Sequence, residues 1–159
     1  YLIHTTQYLI LYIATPGVPL STPKPGGSLK GIAYAHSLGI RAMEMEWVQS
    51  VPKNPEHMLL IKELARSLGM TLTVHAPYYI NLNSSEGAKR EASKKRILNC
   101  CEIGEYLGAS LVVFHQGYYG ENKERTYENI KKEVSEIMKI IKDAQRVIMI
   151  KKNLKRNGL

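Results

Sequence analysis

Cysteine, phenylalanine and tryptophan are nearly missing from this chain, with two, one and one among 159 residues. The two cysteines, Cys100 and Cys101, are adjacent in a run of helical character, where neighbours point about 100° apart and do not face each other. That excludes a disulfide framework, argues against zinc on this pair, and leads us to expect a reducing, cytoplasmic setting. No apolar run approaches the roughly 20 residues that cross a bilayer. Tyr8 to Ala14 is too short, and it lacks the basic flank and small-residue cleavage site of a secretory signal. No Gly-x-Gly-x-x-Gly follows any strand-like run, which weighs against a dinucleotide fold. An initial methionine is also missing, so a processed, trimmed or partial product is expected.

Acidic residues are outnumbered, 14 against 22 Lys and Arg, for a net charge of +8. The excess is local. Arg146, Lys151, Lys152, Lys155 and Arg156 fall in the last 14 residues with no acidic partner, and the remainder carries 17 basic and 14 acidic groups. Global charge is therefore weak support for nucleic-acid binding. A second cluster, Lys89, Arg90, Lys94, Lys95 and Arg96, reads as the solvated face of a helix.

What the chain does contain is one pentapeptide pattern used twice, forty positions apart. His75-Ala76-Pro77-Tyr78-Tyr79 follows the strand-like Thr71-Leu72-Thr73-Val74, and His115-Gln116-Gly117-Tyr118-Tyr119 follows Leu111-Val112-Val113-Phe114. In parallel sheets built from βα repeats, ligands sit outside the carboxyl ends of the strands. Two imidazoles one repeat apart are thus placed to converge on one metal ion. Tyr118 and Tyr119 read as half-buried loop anchors.

Periodicity and punctuation predict a repeating strand–helix order. Strands are predicted over Leu9–Ala14, Ala42–Trp47, Thr71–His75, Leu111–His115 and Val147–Ile150. Helices are predicted over Ser28–Leu38, Pro55–Leu68, a long basic stretch capped by Ser84 or Ser85 and reaching Leu107, and Thr126–Ala144. Three helices end alike, in Ser37-Leu38-Gly39, Ser67-Leu68-Gly69 and Tyr106-Leu107-Gly108, each followed at once by a strand. The fold class is α/β: a partial (β/α)8 TIM barrel of about four and a half βα units, where a full barrel takes about 250 residues. An open doubly wound sheet is the alternative.

Alternation along the strands supports the barrel. Glu44 and Glu46, then Thr71, Thr73 and His75, then Leu111, Val113 and His115 fall on one face, opposite apolar positions suited to helix cover. Glu46, His75 and His115 would face inward near the mouth. Glu44 and Glu46 read as partners of inward basic groups rather than metal ligands. His4, His36 and His57 carry no motif and read as surface.

Val18-Pro19-Leu20-Ser21, Ala42-Met43-Glu44-Met45-Glu46-Trp47, His75-Ala76-Pro77-Tyr78-Tyr79-Ile80-Asn81-Leu82 and Val113-Phe114-His115-Gln116-Gly117 together resemble the endonuclease IV family. Those are zinc-dependent deoxyribonucleases IV, the apurinic/apyrimidinic endonucleases on a TIM barrel. The resemblance runs from about Leu9 to Ile150 and covers the amino-terminal half of a family member. It implies that His75 and His115 are ligands in a trinuclear zinc cluster. It also implies that Tyr78 and Tyr79 sit on a loop entering double-stranded DNA at the abasic site. The chemistry implied is attack of a metal-bound hydroxide on the phosphate 5′ to that site.

The chain departs from the family where Lys151-Lys152-Asn153 replaces the Pro-Glu that ends strand five, and where Gln116 replaces a proline. These departures give residues 1–150 as the half-barrel and 151–159 as a basic irregular tail. They lead us to expect a truncated form, inactive alone, with an incomplete metal site. A sugar isomerase or epimerase half-barrel is the rival reading, since that group uses Glu and His on the same fold. A catalytically dead half-barrel that acts only by association is the third. Open sheet edges and an inner face showing Leu111 and Val113 to water would favour self-association. No membrane partner is expected.

Overall fold

The structure, a computed structural model, describes residues 13–143 and, for the backbone alone, 149–155. Its elements alternate: β1 (Ala14–Pro16), α1 (Ser28–Ser37), β2 (Ala42–Glu46), α2 (Pro55–Ser67), β3 (Thr71–His75), α3 (Gly87–Leu107), β4 (Leu111–Tyr118), α4 (Lys123–Asp143) and β5 (Met149–Lys155). The strands form one parallel sheet in sequential order, β1-β2-β3-β4-β5, as a (β/α)8 barrel begins. No helix among the described residues is long and apolar enough to cross a membrane.

Alternation decides which face the helices cover. Met43, Met45, Leu72, Val74, Val112 and Phe114 are buried against the helices, which contribute Ile32, Ile61, Ile97 and Ile137 to the same core. Cys100 and Cys101 join that core, and burial pushes the Cys100 thiol up to about 12, with the neighbouring Cys101 adding to the shift. The Cys100 thiol is inert packing. On the opposite face Glu44, Thr71, Thr73, His75 and His115 keep partial exposure, while Glu46 is exposed.

The boundaries that differ from the sequence expectation have local causes. Most of the strand expected over Leu9–Ala14 lies outside the described residues, and the described part continues to Pro16, where Gly17 N–H donates to Glu44 O at 2.8 Å. Helix α2 begins as expected, with Asn54 Oδ1 accepting from His57 N–H at 3.0 Å and Pro55 in the first turn. Helix α3 is not capped by Ser84 or Ser85. Ser84 Oγ instead accepts from Glu86 N–H in a local turn, and Arg90 donates to the carbonyls of both serines at 2.7 and 3.2 Å, which delays the helix to Gly87. Helix α4 starts at Lys123 rather than Thr126, because Asn122 Oδ1 accepts from Arg125 N–H at 2.8 Å. Strand β5 does not stop at Ile150: it pairs with β4 from Leu111↔Met149 to Tyr118↔Lys155, so five positions expected in an irregular tail continue the sheet. The first two residues of that expected strand lie outside the described residues.

Val113 is 8% exposed and Leu111 half-buried, so these two positions do not show the open apolar surface expected of them. Among the described residues β1 and β5 are the outer strands of the sheet.

The basic cluster on α3 is more than a solvated face. Lys94 Nζ reaches Glu91, Glu133 and Glu136 at 2.6, 2.9 and 2.7 Å, and Arg90 Nε reaches Glu133 at 3.2 Å, clamping α3 to α4. These carboxylates hold the Lys94 ammonium well above the usual lysine range, led by its hydrogen bond to Glu136, and the same bond lowers the Glu136 carboxyl. A raised lysine stabilises fully below its ordinary 10.5 and fades as pH climbs through the folded value; a lowered carboxyl stabilises above its ordinary 4.5 and fades on acidification. Lys94→Met is therefore expected to cost about 1–2 kcal/mol near neutrality, leaving Glu133 to Arg90 alone. Urea denaturation of both proteins should show that gap narrow at about pH 3. An equal gap at both pH values would contradict the clamp.

Candidate functional site

Strand β3 ends at His75 and Pro77 prevents its continuation, so the chain turns across the carboxyl end of the sheet. The turn is laced to its neighbours. Trp47 N–H donates to His75 O at 3.0 Å, Ala76 N–H to Val113 O at 2.8 Å, Tyr78 N–H to Val48 O at 3.3 Å and Leu82 N–H to Gln116 O at 2.7 Å. These bonds place the loop after β3 over the end of β4, where His115 stands.

The result is a three-ring cluster. His75 and His115 have ring centroids 5.2 Å apart, and Tyr78 lies 5.7 Å from His75 and 6.0 Å from His115. The Tyr78 and His115 planes are only 25° apart, a stacked arrangement. His75 Nδ1 is 2.9 Å from the Ala76 carbonyl, which only accepts, so Nδ1 is the donor there and, in the neutral ring, Nε2 is the nitrogen with a lone pair. This is the orientation a backbone carbonyl gives a metal-binding imidazole. Tyr79 does not join the rings; it is 66% exposed beside them, and Arg96 donates to its carbonyl at 3.1 Å.

A tetrahedral zinc about 2.0–2.1 Å from one nitrogen of each imidazole would hold the two centroids roughly 5 Å apart. Glu46 stands opposite His75 in the β2–β3 register, yet no group of three or more His, Cys, Asp or Glu side chains able to hold a metal forms among the described residues. The described donor set is half of a four-coordinate site and does not fit a complete zinc centre. Neither Glu44 nor Glu46 forms the expected ion pair among the described residues. His57 is exposed and His36 half-buried, while His4 lies outside the described residues.

Tyr118 is 51% exposed and Tyr119 less so, with Lys123 Nζ 6.0 Å from the Tyr119 ring centre. Sequence reasoning also missed Asn83. Its Nδ2 donates to Tyr118 O at 3.0 Å and Thr126 Oγ1 at 3.2 Å, and its Oδ1 accepts from Asn129 at 3.1 Å, joining the two loops. The visible signal was a pair of asparagines, Asn81 and Asn83, ahead of two serines in a loop with its own turn chemistry.

A partial parallel barrel with an imidazole–tyrosine cluster at the carboxyl end of its strands defines a class in which substrates meet that end. The chain belongs to the xylose isomerase-like TIM barrel family, whose profile matches residues 32–151. It is 34% identical over 131 residues to an uncharacterized protein of Methanocaldococcus jannaschii, covering 82% of this chain and 46% of that one. It is 31% identical over 62 residues to a probable endonuclease 4 of Mycobacterium leprae, covering 39% of this chain and 25% of that protein. Among solved structures, D-psicose 3-epimerase from Clostridium cellulolyticum superposes with a TM-score of 0.71 at 16% identity, over 88% of this chain and 51% of that one. Endonuclease IV from Thermus thermophilus superposes at 0.63 and 21% identity, over 85% and 50%. These structural likenesses concern the fold alone. The chain spans about half the length of these structures and 46% of the Methanocaldococcus protein.

Proposed function

We propose that this chain supplies the first half of an endonuclease IV-like barrel that recognises abasic sites in double-stranded DNA. The observation that carries the reading is Tyr78 stacked on His115, with Tyr79 exposed beside it on the loop that follows β3. Where a base is missing, an aromatic face can fill the gap in the stack, and side chains wedge between steps in kinked duplexes. The matches to proteins named probable endonuclease 4, at 30–32% identity, favour the same direction over the epimerases.

His75 and His115 would be two ligands of a zinc site whose other ligands come from outside the described residues. A zinc ion held there would supply Lewis-acid chemistry toward a phosphodiester. What this chain contributes is placement: Ala76 O orients His75, and the laced loop holds Tyr78 over His115. With two ligands of four, the chain by itself is expected to show no nicking of abasic duplex above background. A zinc-dependent, EDTA-sensitive activity that copurifies with it would overturn that expectation.

The reading is tested by binding. Abasic duplex should shift the NMR signals of the Tyr78, Tyr79 and His115 rings, and a ketohexose should leave them unmoved. The higher TM-score to D-psicose 3-epimerase makes the sugar the proper competitor. Shifts with ketohexose and none with abasic duplex would replace the DNA reading by the epimerase one.

A further inference from the structure

At the same end of the sheet as the histidines, the loops after β3 and β4 enclose a cleft of about 590 Å3. Ser84 and Ser85 line one side, and Arg125, Asn129 and Lys132 on α4 line the other. The Asn83 hydrogen bonds to Tyr118 O, Thr126 and Asn129 tie the two walls together, so the space is preformed. Thr126, 2% exposed, is itself fixed by donating to Asn122 O at 2.8 Å while accepting from Gly120 N–H at 3.1 Å.

The charges in the cleft are unequally matched. Glu133 is taken up by Arg90 and Lys94 at 3.2 and 2.9 Å, and Glu121 is exposed. Arg125 and Lys132 form no salt bridge within 4 Å among the described residues, although Lys132 lies near enough to Glu136 to help lower its carboxyl. Beside the carboxylates of Glu121 and Glu133, which also line the cleft, the guanidinium of Arg125, the ammonium of Lys132, the Asn129 amide and two serine hydroxyls are the donor chemistry of a tetrahedral oxyanion, with arginine suited to bidentate contact.

We propose that this cleft is a phosphate subsite in which Arg125 and Lys132 hold one phosphate oxyanion. The carrier rests on the reading above: it is a backbone phosphodiester of the strand that also meets Tyr78 and Tyr79. On that arrangement the tyrosines select the damaged position and the cleft fixes the strand's register, as phosphate contacts do. A phosphorylated sugar would present the same chemistry from a different source.

The test uses the whole chain and the double variant Arg125→Gln/Lys132→Gln; both positions are exposed, so the fold should be retained. Inorganic phosphate should shift the amide signals of Ser84, Ser85 and Arg125, about tenfold more weakly in the variant. For abasic duplex, the slope of log affinity against log salt should fall by about 1 in the variant, with the preference over intact duplex unchanged. Phosphate shifts elsewhere, or an unaltered salt slope, would overturn the subsite while leaving the DNA reading in place. Phosphate held in the cleft by a chain that binds no duplex would uphold the subsite and overturn DNA as its carrier. A ketohexose phosphate would then be the carrier to titrate.

Discussion

Replacing Gly117 with alanine is expected to destabilise the protein by about 2–4 kcal/mol, from a strained backbone and an overpacked contact. Gly117 sits at φ 133°, a conformation that side-chain-bearing residues rarely adopt, in the irregular stretch of β4 between His115 and Tyr118. A Cβ there would meet Asn81 Oδ1 at 2.5 Å and the Asn81 backbone at 3.4 Å. Asn81 has little freedom to retreat, because its Oδ1 accepts from Asn83 N–H at 3.1 Å and its own N–H donates to Ser93 Oγ at 2.9 Å. The clash therefore pushes apart the two loops that carry the tyrosines. Urea denaturation followed by circular dichroism should show the drop, and the ring contacts of Tyr78 should weaken with it. Wild-type stability in Gly117→Ala would mean that the loops are not packed as described.

Removing both rings, in Tyr78→Ala/Tyr79→Ala, is expected to reduce affinity for abasic duplex about 30-fold, roughly 2 kcal/mol of lost stacking. The two side chains are 48% and 66% exposed, so little stability rests on them. Affinity for intact duplex should change only a few-fold, since undamaged DNA offers no gap to fill. The salt dependence should stay as it was, because no charge is removed. Fluorescence anisotropy on matched abasic and intact oligonucleotides separates these effects. An equal loss on both duplexes would assign the tyrosines a general role and remove the basis for abasic recognition.

The meeting of His75 and His115 at one end of the sheet was legible because it depends on short-range rules. Strand parity sets which face a histidine takes, and the parallel neighbours β3 and β4 bring equal offsets to the same end. The covered face of each strand was legible for the same reason. The α3–α4 clamp was not, since Arg90 and Glu133 lie 43 positions apart and no local pattern pairs them. The start of α4 was misjudged because apolar spacing begins near Thr126, while the physical start is the Asn122 cap. Lysines 151 and 152 look like an ending in sequence, yet backbone pairing to β4 carries the strand through them. The choice between DNA and sugar chemistry was not legible at the level of fold, because endonuclease IV and D-psicose 3-epimerase both superpose on this half-barrel.

The proposed function turns on His75, His115 and Tyr78 converging at the carboxyl end of the strands. The most direct measurement is the set of nuclear Overhauser contacts among assigned ring protons of His75, His115 and Tyr78 in the intact chain. With centroids 5.2, 5.7 and 6.0 Å apart, all three pairs should give cross-peaks, and Tyr78→Phe should retain them. Cross-peaks from each ring to its own loop, with none between His75 and His115, would contradict the convergence and remove the aromatic face built on it.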